Sequence, residues 1–172
     1  MISQNKLECS KTIDDIHSTL MSDMYPWYWN ENQISSYERQ HAGFTHAFYR
    51  GGEINSSYFN KIDDLLNLIL DKEQIKIKSI FRIQANLLPN ITITDEQLLN
   101  SIHTDMPTDN YISIIYYVMN SDGDTVIFDN DKEIRISPKQ GHYVVFKSCT
   151  KHRATMPIIN KRRIVINYIL EV

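Results

Sequence analysis

The chain has 172 residues, a formal net charge of −3, 42% hydrophobic and 23% charged residues, and only five Gly and five Pro. That length suits one domain with a sizeable core, and the balance excludes disordered, collagen-like and low-complexity classes. Cys9 and Cys149 stand far apart without a CxxC pair, so neither a disulfide framework nor a cysteine-based zinc site is expected. No apolar run nears the roughly 20 residues of a membrane span, and the first residues lack a signal-peptide core. The expectation is a soluble cytoplasmic protein with no membrane partner.

Helical spacing of Ile13, Ile16, Leu20 and Met24 predicts a first helix over 12–24, with Asp14 and Asp15 near its dipole-favoured start. The aromatic segment Tyr25-Pro26-Trp27-Tyr28-Trp29 follows, and reads more readily as packing between helix and sheet than as a binding platform. A second helix, capped by Ser56 or Ser57, is predicted to run to about Leu70, burying Phe59, Ile62, Leu65, Leu66 and Ile69. From Gln74 the pattern turns to short β-branched runs. Strands are expected over 75–88, 112–119, 125–128, 133–136, 143–146 and 164–170, separated by turn residues such as Ser121-Asp122-Gly123-Asp124 and Gln140-Gly141. Many short strands without intervening helices predict an antiparallel sandwich or jelly roll. Overall, a mainly β, α+β single domain is expected, with 1–75 a helical support region and 76–172 the core.

Six basic residues from Lys147 to Arg163 follow one another without an acid, which suits a solvated face or an anionic ligand. His103-Thr104-Asp105 places two potential ligands at i and i+2, on one side of an extended chain. His152 follows the 143–146 strand. Two His and one carboxylate, with three positions left open, suit non-haem Fe(II), whereas a closed zinc site would ask for a fourth protein ligand. His17, His142 and the pair His41 and His46 carry no such pattern; five positions apart, His41 and His46 share no face of helix or strand.

The order HxD, distal His152, then Arg163 opening the last strand resembles the 2-oxoglutarate/Fe(II)-dependent dioxygenase superfamily, in its prolyl-4-hydroxylase-like group. Between them, Ile115-Tyr116-Tyr117-Val118-Met119-Asn120 is similar to that group's IYYLN-type strand. Ser121-Asp122-Gly123-Asp124-Thr125-Val126-Ile127-Phe128 is similar to its G-G-E-T-x-F stretch, and the segment from Pro138 to Ser148 to its P-x-x-G-x-x-x-x-F stretch. The match runs over about 80–172 in the correct order. The Tyr25–Trp29 segment also resembles small oxygenase-like proteins encoded by bacteriophages, which would place the protein in a host cytoplasm.

The resemblance implies a double-stranded β-helix (jelly roll, cupin-like) core with supporting N-terminal helices. It implies His103, Asp105 and His152 as catalytic iron ligands, Arg163 as partner of the distal carboxylate of 2-oxoglutarate, and Tyr117, Asn167 and Ser113 as neighbouring cosubstrate residues. The strand Phe81-Arg82-Ile83-Gln84-Ala85-Asn86 lacks the tyrosine many relatives carry; Asn86, on parity with Arg82 and Gln84, is the expected substitute. Fe(II), 2-oxoglutarate and O2 are the implied cofactors, with room for ascorbate as reductant. The implied activity is hydroxylation of a peptide or protein side chain such as proline, with succinate as coproduct. Alternatives are an oxygenase of nucleic acid or of a small molecule, and a non-catalytic jelly-roll binding module. Against nucleic acid, no further Arg follows Arg163 and Asn167 on the last strand.

Overall fold

Strand-favouring residues occupy both halves of the chain, and the first half contributes more strand than its helical patterning suggests. The protein, seen in a computed structural model, is described over residues 2–31, 42–90, 102–130 and 132–172. In chain order the elements are β1 (Ile2–Lys6), α1 (Ser10–Met21), β2 (Tyr28–Asn30), β3 (Gly43–Arg50), β4 (Glu53–Ile54), α2 (Phe59–Glu73), β5 (Ser79–Pro89) and β6 (Tyr111–Tyr117). They continue with β7 (Thr125–Asp129), β8 (Lys132–Ile136), β9 (His142–Lys147), β10 (His152–Ala154) and β11 (Arg162–Glu171). Every pairing is antiparallel. A large sheet runs β1-β9-β6-β11-β5-β3-β2, with β4 hairpinned onto β3, and a small sheet runs β10-β7-β8.

The large sheet is apolar on both faces because both are covered. One face packs on the helices: Ile16 and Leu20 of α1 and Ile62, Leu65, Leu66 and Ile69 of α2 meet Ile83, Ile114, Tyr116, Ile166 and Tyr168. Toward the small sheet, Ile115, Tyr117, Val144, Phe146 and Val165 form a second cluster with Ile127 and Ile136. Period-two alternation on β11 therefore sends Arg163, Val165 and Asn167 between the sheets and Ile164, Ile166 and Tyr168 toward the helices, the predicted register.

Several local expectations need correction. Helix α1 stops at Met21, and Met24 is 88% exposed, because Ser22 and Tyr25 leave the helix through tight hydrogen-bonded turns. Since α1 begins at Ser10, no acidic residue lies in its first turn, and Asp14 and Asp15 gain little from the dipole. Neither Ser56 nor Ser57 caps α2. Tyr58 is the N-cap residue, and the Ser56 hydroxyl instead accepts from the Tyr58 amide and meets His46. Residues 75–78 are not strand: Gln74 adopts a left-handed conformation (φ 54°) and the Ile75 amide returns to the Leu70 carbonyl, a Schellman closure that uses these residues to leave α2. Tyr25 is buried, as packing predicts, but Tyr28 and Trp29 are more than half exposed on the edge strand β2.

Candidate active site

Backbone zipping brings the two histidine-bearing segments together. His103 and His152 exchange N–H···O=C bonds of 2.9 Å in both directions, and the amides of Asp105 and Met106 both donate to the Ser148 carbonyl (2.9 and 3.2 Å). The ligand atoms of His103, Asp105 and His152 consequently lie within 4.8 Å of one another, close enough to hold one metal ion. His152 Nδ1 lies 3.0 Å from the Thr150 carbonyl, which can only accept, so Nδ1 carries the proton. The other ring nitrogen, Nε2, faces Asp105, 3.7 Å from Oδ2. Phe146 packs edge-on to the His152 ring and holds it in place.

Asp105 is buried among donors. Burial alone would raise its pKa; His152, Arg82, the Ser113 hydroxyl and His103 together outweigh it and hold the carboxyl below the usual range. Ser113 donates to Oδ2 at 2.6 Å and lies 2.8 Å from the Ser148 hydroxyl. From β6 the short Ser113 side chain thus reaches and supports the Asp105 carboxylate. Arg82 Nη2 approaches Oδ1 at 3.8 Å.

Farther along β11, Arg163 is only 3% exposed. Its Nε donates to the Gly123 carbonyl and its Nη2 to the Thr125 hydroxyl, both at 2.8 Å. Gly123 is required here, since a Cβ would come within 2.9 Å of Arg163 Cδ and 2.7 Å of the Thr155 carbonyl. Tyr117 sits opposite Val165 on β6 and faces the same cluster. Burial raises the pKa of the Tyr117 hydroxyl to about 12, against the pull of Thr125 and Arg163. Thr125 lies close by, yet no hydrogen bond to the Tyr117 oxygen forms among the described residues, and the same holds for Asn167 Oδ1. Asn86 accepts from Gln84 Nε2 at 2.7 Å, and Gln84 faces Asn167 across the strand pair. Arg163, Tyr117 and Asn167 therefore share one inter-sheet face, with acceptors and donors left open.

Two residues escaped the sequence reading. Thr125 stands at the Thr of the G-G-E-T stretch, a signal that assigned it no role. For Arg82 the sequence offers only its parity with Asn86. The other histidines stay outside the cluster: His46 is buried between the Pro26 carbonyl and the Ser56 hydroxyl, His142 borders the Gln140 turn, and His41 lies outside the described residues. The basic run does not form one patch either. Arg163 is interior, Arg153 stacks on Phe128 and Lys147 pairs with Asp109.

Residues 94–171 match the family model of the 2OG-Fe(II) oxygenase superfamily. That segment spans β6 to β11, somewhat less than half of the chain. No curated protein matches the chain. Among solved structures, a prolyl-4-hydroxylase from Pseudomonas putida is similar at 15% identity and TM-score 0.64, covering 99% of this chain and 91% of its own. A Trichoplax adhaerens prolyl hydroxylase in complex with a hypoxia inducible factor oxygen degradation domain peptide fragment gives 13% identity and TM-score 0.67, covering 99% and 83%. The viral collagen prolyl hydroxylase of Paramecium bursaria Chlorella virus-1 gives 16% identity and TM-score 0.56, covering 99% and 90%. These likenesses establish the double-stranded β-helix fold. With the family match over residues 94–171, they support a 2-oxoglutarate-dependent dioxygenase that uses Fe(II), 2-oxoglutarate and O2, and the two imidazoles and one carboxylate suit that metal. Among the described residues no helix is long and apolar enough to cross a membrane.

Proposed function

We propose that this oxygenase hydroxylates a peptide or protein side chain in the manner of a prolyl hydroxylase, and that residues 1–172 act as one domain. His103, Asp105 and His152 hold the iron. Arg163 holds the distal carboxylate of 2-oxoglutarate with Thr125 beside it, and Tyr117 and Asn167 complete the polar lining. When bound, the iron, O2 and 2-oxoglutarate supply oxidative decarboxylation to succinate coupled to hydroxylation. The protein's part is to orient those groups, exclude water and keep Asp105 ionised. The observation that carries the reading is the convergence of three ligand atoms within 4.8 Å, with His152 Nε2 aimed inward. A peptide substrate is favoured because a similarly folded prolyl hydroxylase holds a peptide fragment.

The test is Mn(II) titration of the wild type and of His103→Ala, Asp105→Ala and His152→Ala, each checked for retained fold by circular dichroism. All three substitutions are expected to abolish binding; an Asp105→Ala chain that binds Mn(II) like the wild type removes the metal assignment. Succinate release is then screened with proline-containing peptides, small molecules and oligonucleotides. A one-oxygen mass gain confined to an oligonucleotide or a small molecule overturns the peptide reading.

A further inference from the structure

On β5 the alternation that sends Ile83 and Ala85 to the helices sends Arg82, Gln84 and Asn86 to the face of the site. The β3–β5 register sets Arg50 directly opposite Arg82, so two arginines stand side by side on that face. Among the described residues, Asp105 is the one acid within ion-pair distance of Arg82, and Arg50 has none; Glu53 faces Arg50 across the hairpin without closing a pair. Arg82's hold on Asp105 is loose. At 3.8 Å its Nη2 is beyond hydrogen-bond range, and its fully buried Nε has no partner among the described residues. The carboxylate is meanwhile committed elsewhere, to the Ser113 hydroxyl and toward His152.

We propose that Arg82, backed by Arg50, is a carboxylate-binding point at the metal end of the pocket, separate from Arg163. The inference rests on reading His103, Asp105 and His152 as the metal set. Once Asp105 shares its charge with a divalent cation, two guanidiniums and that cation stand together, and a buried N–H still lacks an acceptor. A carboxylate answers both, because its two oxygens match the guanidinium fork. Arg163 cannot serve the same group. Arg82 pairs with Ile169 and Arg163 with Leu88, which separates the two along β11 by six residues, about 20 Å of strand. The carboxylate has two chemical sources: the one next to the keto group of 2-oxoglutarate, or one carried by the molecule to be hydroxylated.

The experiment uses the full chain loaded with diamagnetic Zn(II) and follows the arginine Nε–H signals by NMR. N-oxalylglycine is titrated first; N-acetylglycine and N-acetylglycinamide are then titrated into protein saturated with it. A moved Arg82 signal in the first titration, with binding weakened about tenfold or more in Arg82→Gln, assigns the point to the cosubstrate. A signal that moves only with N-acetylglycine, and not with its amide, assigns it to a substrate carboxylate. In either case Arg82→Lys recovers part of the affinity and Arg50→Gln loses less than Arg82→Gln. The proposal is overturned if the Arg82 signal moves in neither titration. It is overturned equally if Arg82→Gln changes Zn(II) affinity alone, as a residue that merely orients Asp105 would. A wild-type chain that fails to bind Zn(II) overturns the metal reading itself, a result no Arg82 variant can produce.

Discussion

The Tyr117 hydroxyl is buried yet unpaired, and that state sets its expected behaviour on substitution. Removing an oxygen that has no hydrogen-bond partner among the described residues leaves the ring packed against Ile115 and Val165, so Tyr117→Phe should shift unfolding by less than about 1 kcal/mol. If the hydroxyl completes the cosubstrate site, the same change weakens 2-oxoglutarate binding several-fold; unchanged affinity in a calorimetric titration would return Tyr117 to the core. Arg162 and Arg163 allow a sharper comparison. Arg163 is interior with two hydrogen bonds, whereas Arg162 is half-buried on the opposite face. Arg163→Leu should weaken 2-oxoglutarate by about a hundredfold, the worth of a paired charge-assisted contact of roughly 3 kcal/mol, and Arg162→Leu should be mild. Titration of both variants against the metal-to-ligand charge-transfer band measures the difference, and a more severe Arg162 defect would contradict the register of β11.

At the scale of elements, the pocket wall depends on how two loops are stitched. The Asp122 carboxylate accepts the amides of Ile158, Ile159 and Asn160 at 2.7–3.0 Å, and the Asp122 amide in turn donates to Asn160 Oδ1. Next to this clamp, Gly123 offers its carbonyl to Arg163. Partial burial would raise the Asp122 pKa, but the three amides outweigh it and lower it below the usual carboxylate value. A depressed folded pKa means the clamp's contribution is complete above the unfolded value of about 3.9 and lost as pH falls through the folded one. The protection of the Ile158 and Ile159 amides, taken relative to their intrinsic exchange rates, should therefore fall in that window below pH 4. Asp122→Asn should exchange fast at every pH, without that step; a wild-type profile in the variant would show the loop is held otherwise.

The elements legible in the sequence were those with strong periodicity: α2's apolar face and the strands around Ile115, Val144 and Ile166 all lie where alternation places them. Strands β1 to β4 and β10 were not legible. Ile2-Ser3-Gln4-Asn5-Lys6 and His152-Arg153-Ala154 carry almost no apolar alternation, and their pairing is fixed by neighbours far along the chain. The convergence of His103, Asp105 and His152 could be read because HxD and the distal His have an ordered spacing. Arg82 could not, since its meeting with Asp105 depends on how β5 and the 103–106 segment pack, which no local pattern encodes.

Across the whole molecule, the large sheet separates two packing regions, one against the helices and one around the site. Stability and chemistry should accordingly respond to different substitutions. Leu65→Ala, at a fully buried position of α2 on the helix side, should cost about 2–5 kcal/mol in denaturant unfolding. Below the unfolding transition its Mn(II) affinity should equal that of the wild type; a parallel loss would mean the two regions are mechanically coupled through the sheet.

The pairing of β1 with β9, Ile2 against Phe146 through Lys6 against His142, has a consequence for how the chain is made. A ribosome adds about 5–20 residues per second, so β1 spends on the order of ten seconds or more outside the exit tunnel before its partner exists. During that interval its amides and carbonyls are answered by water or by whatever passes. The helices and the β3–β4 hairpin, whose contacts are local, can form meanwhile, but the sheet gains this edge only after most of the sequence has been translated. Slowing translation between β1 and β9 should then lengthen exposure of this segment to chaperones and proteases while leaving the finished enzyme unchanged.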